Sequence, residues 1–346
     1  MMLGHKTSVA AETPLCTTEI VNRFEALLEN ERYVLGMILG FMLINLSASF
    51  TFPNGYASGP MTRLMAVLGI LWMLGFALRL ARPNLPFVYF PEASCLMTVL
   101  GLQGAMATAA IAPFTGAYAD ATLAQADHFL MPFISWPEIV HWLSTHPTIF
   151  RTLNYIYVSE NFQVPLLFLI LSGFGRVREM KAIVAAGGIA LIGALLIFTL
   201  MPAEGGYIHY GIARESVPDL LVAMPFEFPE ILQHLKSGAV HELSMHEING
   251  LISFPSFHAV TAVILIMNWS KFRYLAFPGI LLNAMVIFTA LPIGSHYICD
   301  LVAGSILGYA SMKLATFLVN RNTVQIDTQA RMVPTVVVPK RECSMA

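Results

Sequence analysis

Two short stretches hold the residues best suited to chemistry. The first is FPSFHA, Phe254 to Ala259; the second is GSHYICD, Gly294 to Asp300. Each sets a histidine at the mouth of an apolar run. His296 and Asp300 are four residues apart, so on a helix they share one face. A carboxylate there accepts the hydrogen bond of one imidazole nitrogen. That fixes the tautomer and leaves the other nitrogen as a nucleophile or base. Asp300 in a first turn also suits the positive end of a helix. The plainer reading is an N-terminal helix charge beside an interfacial histidine. In the first stretch Pro255 sets a turn, and Ser256 offers a hydroxyl and backbone N–H groups at a helix start, where anions bind. His258 then stands one turn in. Two histidines, a carboxylate and an anion cradle suit phosphoryl transfer: one histidine attacks phosphorus and the other protonates the leaving oxygen. Gly304 and Gly308 continue the Asp300 face with small-xxx-small spacing. That spacing predicts close approach by another helix, the one carrying His258.

The elements that must position these residues are apolar helices. Of 346 residues, 12% are charged and 56% hydrophobic, and the mean hydropathy is +0.67. A soluble domain carries about a quarter charged residues, so the composition predicts an all-α polytopic integral membrane protein. The net charge of −2 leaves no footprint for nucleic acid. Cys16, Cys95, Cys299 and Cys343 lie far apart and match no metal or disulfide framework. HELSMHE, His241 to Glu247, superficially resembles a zinc motif, but its histidines are five apart and do not share a helix face. No metal and no cofactor is expected. The N-terminus lacks the basic start and apolar centre of a secretory signal.

Spanning helices need about 20 mostly apolar residues. Eight candidates have that character: 33–52, 61–81, 94–114, 154–174, 182–202, 252–270, 275–292 and 297–318. Arg63 and Arg79 flank the second, where they are expected to snorkel to the interface. Between the third and fourth spans, 115–153 is polar and aromatic, and its Trp136 and Trp142 suit a helix in the headgroup layer. A longer loop occupies 203–251. The expected organisation is a cytoplasmic segment (1–32), two additional transmembrane helices (33–92), a six-helix catalytic core (93–320) and a flexible cytoplasmic tail (321–346).

Orientation follows from Lys and Arg placement. With the N-terminus cytoplasmic, 15 of the 19 basic residues fall inside, and Arg63, Arg151, Arg214 and Lys236 fall outside. Every histidine except His5 then maps to the non-cytoplasmic side, His258 and His296 among them.

P-S-x-H followed about forty residues later by H-Y-x-x-D resembles the second and third signatures of the type 2 phosphatidic acid phosphatase superfamily. The form "FPSxHA" with "HYxxD" is most similar to its inositol phosphorylceramide synthase-like branch. DATLAQADHFL (Asp120 to Leu130) and MPAEGGYIHYG (Met201 to Gly211) also look like that branch. The similarity covers roughly 94–318, a six-helix, lipid-phosphatase-like core. It implies that His296 is the nucleophile forming a phosphohistidine, that Asp300 orients it, and that His258 is the acid/base. Pro255, Ser256, Ser295 and Tyr297, beside the histidines, are expected to bind substrate, with Tyr207 from a Gly-rich turn.

The chain departs from the superfamily's phosphatases in two places. The first signature, K-x6-R-P, is missing; RLARP (Arg79 to Pro83) lacks the lysine and falls on the wrong side. Ala290 stands where an arginine is expected six residues before His296. That clamp neutralises a phosphomonoester dianion, and a diester carries one charge less. The expectation is therefore a phosphotransferase. It would move a phospho-headgroup, inositol-phosphate-like, from a phospholipid to a lipid or other hydroxyl acceptor, so that membrane lipids are both donor and acceptor. The alternatives are a lipid phosphate phosphatase and a non-catalytic lipid-binding or transport protein. Arg214 and Lys236 either replace the clamp in part or are solvated loop charges. Glu160 and Asn161 either face the cavity and bind a hydroxylated headgroup or bond another helix. Asp120 and Asp127 either contact sugar hydroxyls or form a solvated face.

Overall fold

Apolar backbone at membrane depth must satisfy its own hydrogen bonds, and this chain does so with helices. A computed structural model describes residues 17–332, apart from 53–57, 83–84, 86, 134, 218–223, 245–247 and 249–250. In chain order the helices are α1 (Thr17–Thr51), α2 (Ser58–Ala81), α3 (Phe90–Ile111), α4 (Asp120–Leu130), α5 (Trp136–Ser144), α6 (Pro147–Val158), α7 (Glu160–Gly173), α8 (Val177–Leu200), α9 (Gly206–His209), α10 (Met224–Ser237), α11 (Phe257–Trp269), α12 (Ala276–Ile293) and α13 (Ile298–Met332). No strand occurs among the described residues. The chain is an all-α, polytopic membrane protein.

Six segments are long and apolar enough to cross a membrane: Arg63–Ala81, Phe90–Phe114, Pro147–Gly173, Val177–Leu200, Ala276–Ile293 and Ile298–Arg321. Arg32–Ser47 and Phe257–Trp269 are apolar but shorter. All eight segments overlap the expected spans, and six meet the length.

The short one at α11 is informative. Thirteen residues rise only about 20 Å against a hydrocarbon core of about 30 Å. The expected span 252–270 loses its first residues to a buried loop, in which Ser253 is 2% and Ser256 0% exposed. Irregular backbone is tolerated at that depth only where protein or a cavity surrounds it. The fourth span starts earlier than expected, with Pro147 in the first turn of α6, and passes Ser159 into α7.

α8 is central, and its small residues let neighbours approach. A Cβ on Gly188 would lie 2.7 Å from the Met37 sulfur of α1, and one on Gly193 would lie 2.8 Å from Leu307 of α13. α1 is also tied to α3 by the Asn45 amide, which donates to the Gln103 side chain at 2.6 Å.

Arg79 does not snorkel to the interface. It is 6% exposed, and its guanidinium donates to Glu92 at 2.8 Å, joining α2 to α3. Buried charge of this kind is retained only when paired, and removing one partner typically costs about 3–5 kcal/mol. α13 remains helical through Met332, beyond the expected end of its span. Cys16, Cys343, His5 and the last residues of HELSMHE lie outside the described residues.

Candidate active site

The two glycines of the Asp300 face do what their spacing predicted. A Cβ on Gly304 would collide with the Ser256 carbonyl oxygen, and one on Gly308 would lie 2.5 Å from that of Val260. α13 therefore lies backbone to backbone against α11. The amide of Ser256 donates to the Asp300 carbonyl at 3.2 Å, linking the two motifs directly. The Ser256 hydroxyl caps α11, accepting from the Ala259 amide at 3.4 Å.

His296 stands at the end of the turn between α12 and α13 and is 5% exposed. Its Nδ1 lies 3.3 Å from Asp300 Oδ2, and the same oxygen accepts from the Tyr297 amide at 2.9 Å. Asp300 is fully buried. The turn itself is strained, because Ser295 has φ +62°. Its neighbours hold it there. The Ser295 carbonyl accepts from the Gly206 amide at 2.9 Å and its hydroxyl from the Tyr207 amide at 3.0 Å. The Trp136 indole donates to the His296 carbonyl at 3.0 Å, and the Tyr207 hydroxyl donates to the Pro292 carbonyl at 2.6 Å.

Asp120 and Asp127 prove to be buried anchors of this turn, not a solvated face. Asp127 accepts from the Ile298 and Cys299 amides at 2.7 and 2.8 Å. These are first-turn N–H groups of α13, which have no partner within their own helix. Asp120 accepts from the Gly205 amide at 2.8 Å and from the Tyr297 hydroxyl at 2.9 Å. The two carboxylates of DATLAQAD thus bind the MPAEGGY segment and the start of α13 into one unit.

His258 is held differently. Its Nδ1 lies 2.9 Å from the Tyr157 hydroxyl, and the two rings stack with centroids 3.9 Å apart. Both histidines are anchored through Nδ1, which leaves Nε2 of each available. Gly294 separates the two arrangements: a Cβ there would lie 2.7 Å from the His296 ring and 3.0 Å from the Tyr157 oxygen.

Both imidazoles line a cavity of about 750 Å³. Its polar lining includes Tyr157, Glu160, Asn161, Ser253 and Thr261, and α3 and α7 supply apolar residues together with Ser94, Thr98 and Thr108. No lysine or arginine is among the described residues that line it. Of the residues expected to bind substrate, Glu160 and Asn161 line this cavity. Pro255, Ser256, Ser295, Tyr207 and Tyr297 are buried and are not among its lining residues; the proline apart, they make the bonds given above. Arg214 is exposed, 3.7 Å from Glu227. Lys236 donates to the Thr115 and Gly116 carbonyls and lies over the Tyr118 ring. Burial pulls its ammonium below the ordinary lysine value, opposed by Glu204. Neither cation reaches the cavity lining.

Sequence reasoning missed Trp136 and Tyr157 as site residues. Trp136 was expected in the headgroup layer beside Trp142; it is 5% exposed and bonded to the site, whereas Trp142 is 51% exposed. The available signal for Tyr157 was a polar pair, Tyr157 and Glu160, three residues apart within a span.

Two anchored imidazoles, a buried carboxylate behind one of them and a cavity at membrane depth can support nucleophilic attack on phosphorus with a separate proton donor. A family model described as the PAP2 superfamily matches residues 121–314, more than half of the chain and both histidine motifs. No curated protein matches the chain, and no solved structure does. On the strength of that match the chain belongs to the PAP2 superfamily.

Proposed function

We propose that this protein is a membrane phosphotransferase of the inositol phosphorylceramide synthase-like kind, with residues 93–320 as its catalytic core. Membership in the superfamily supports a lipid phosphatase or phosphotransferase. The observation that carries the finer reading is the cavity beside the histidines, whose described lining holds no lysine or arginine. A phosphomonoester dianion there has no lysine or arginine to offset its second charge, and buried charge without a partner is heavily penalised. A diester, with a single charge, loses less.

His296 Nε2 attacks the phosphorus of a phospholipid diester. The P–O bond to the lipid alcohol breaks, and His258 gives that oxygen a proton. The phospho-headgroup stays on His296 through a P–N bond, with Asp300 stabilising the charged imidazole. A hydroxyl of the acceptor then attacks, His258 takes its proton, and the P–N bond breaks. Donor and acceptor lipids use the same cavity in turn.

The test is kcat/KM for a phospholipid diester and for phosphatidic acid in one detergent, with and without a lipid alcohol. The diester is expected to be the better substrate, and the alcohol to raise turnover. Preference for the monoester, with phosphate release indifferent to the alcohol, would make the protein a lipid phosphate phosphatase.

The site is assigned to the non-cytoplasmic face on the basic-residue split, with both termini cytoplasmic. Ser253 and Ser295 are too buried to report on this, but Ser237 and Ser270 are exposed. In a cysteine-free background, Ser237→Cys is expected to react with an impermeant thiol reagent in intact cells, and Ser270→Cys only after the membrane is opened. The reverse pattern would invert the topology.

A further inference from the structure

An imidazole that passes protons through Nε2 must keep one on Nδ1. In the proposed reaction His258 gives a proton from Nε2 to the leaving oxygen and later takes one from the acceptor. When Nε2 is bare, the neutral ring holds its single hydrogen on Nδ1; when Nε2 is loaded, the imidazolium carries both. In either state Nδ1–H is a donor, and the group it meets at 2.9 Å is the Tyr157 hydroxyl. The phenol oxygen is therefore the acceptor of that bond, and its own hydrogen is turned elsewhere. Tyr157 is 6% exposed, and its hydroxyl has no second hydrogen-bond partner among the described residues. A buried donor left unmatched is costly. What it borders is the cavity, whose lining includes Tyr157 and both imidazoles. A Cβ on Gly294 would lie 2.7 Å from His296 Cδ2 and 3.0 Å from the Tyr157 oxygen. The two are thus no further apart than these distances together, and Cδ2 is bonded to Nε2, the attacking nitrogen. Gly294 closes α12 one turn after Ala290, donating its amide to the Ala290 carbonyl at 2.9 Å. The phenol hydroxyl accordingly lies beside the nucleophile and beside the end of the helix that lacks the clamp arginine.

We propose that the Tyr157 hydroxyl donates a hydrogen bond to a non-bridging oxygen of the transferred phosphoryl group, a neutral donor in place of the missing cation. A phenol is neutral near physiological pH and keeps its proton throughout. As the P–N bond to His296 forms and the P–O bond to the lipid alcohol breaks, this bond steadies charge on the phosphoryl oxygen without adding a positive charge. One such donor suits the single charge of a diester better than a dianion. The proposal rests on the phosphotransferase reading for the roles of the two histidines. It makes Tyr157 a contact of the reacting group, beyond its support of His258.

The test is the rate of phosphoenzyme formation in wild type and Tyr157→Phe, from a diester donor with an activated leaving group. Such a group leaves without a proton, so any effect routed through His258 disappears. Tyr157→Phe is expected to remain about fivefold slow on this donor, the loss of about one hydrogen bond. Sulfur is a weaker acceptor than oxygen. On one of the two isomers of the donor with a non-bridging sulfur, the gap between wild type and variant is therefore expected to close. Equal rates of wild type and variant on the all-oxygen donor overturn the proposal and leave Tyr157 as a support of His258 alone. A gap that both sulfur isomers preserve also overturns it, because a merely structural defect is blind to that atom. Wild type that forms no phosphoenzyme from the diester removes the phosphotransferase reading, and this proposal with it.

Discussion

His296 sits in a turn gripped from several sides, whereas His258 rides on a regular helix and is held by one tyrosine. Around the first, Asp300, Asp127, Trp136 and the Gly205–Tyr207 segment all bond the turn or the start of α13. Around the second, a ring stack and one hydrogen bond with Tyr157 hold the imidazole. The difference suits the proposed chemistry. A nucleophile must hold its nitrogen in line with a phosphorus–oxygen bond through two opposite displacements, and small misplacement is expensive. A proton carrier has to serve two oxygens in succession, one leaving and one entering. It gains little from a grip that tight. The polar investment of the fold accordingly lies on the α13 side, where three aspartates are buried within one short region.

Removing each imidazole draws the sharpest contrast. His296→Ala is expected to abolish both turnover and capture of covalent phosphate. His258→Ala should slow turnover by roughly 10²–10⁴-fold while still forming a phosphoenzyme from a donor with an activated leaving group. Quench-and-trap measurements on both variants check this. Turnover surviving in His296→Ala would remove the distinction between the two histidines and overturn the assignment of His296 as nucleophile.

Smaller changes test the two modes of support. Asp127→Asn puts an amide where a carboxylate accepts two N–H groups. The expected loss is about 1–2 kcal/mol of stability, the scale of a helix cap at a dipole end, with kcat falling alongside. Tyr157→Phe keeps the stacked ring and loses one hydrogen bond, so kcat should fall about fivefold, the equivalent of about 1 kcal/mol. Its melting temperature should barely move. Thermal unfolding and kcat measured on the same preparations decide the matter. A Tyr157→Phe variant less stable than Asp127→Asn would reverse the comparison.

Much of the architecture was legible in local pattern. Apolar runs long enough to cross a bilayer have few other fates, so six of the eight reappear at spanning length and two as shorter apolar helices. The H-Y-x-x-D spacing predicted that His296 and Asp300 would meet, and they do at 3.3 Å, although His296 stands in the turn before α13 and not on its face. Gly304 and Gly308 read as a surface for close packing, a property of one helix that needs no knowledge of its neighbours. The ends of the spans were harder. α11 is shorter than its apolar run because apolar residues are equally content in a buried loop, and hydropathy does not separate the two.

What the chain order could not show was the partner of each polar group. Arg79 beside an interface looks like a snorkelling side chain until Glu92, thirteen residues away, comes within 2.8 Å of it. Asp120 and Asp127 look like a wet surface until the turn that carries His296 folds over them. Lys236 and Arg214 look available as a phosphate clamp until one is seen to be occupied with carbonyls and the other to face solvent. Residue types and spacings are local, so they marked which groups are suited to chemistry and which segments form apolar helices. Hydrogen bonding and burial are long-range. Only the packing of α4, α5, α6 and α7 against α11, α12 and α13 decided which carboxylates hold the backbone and which one, Glu160, is left facing the cavity.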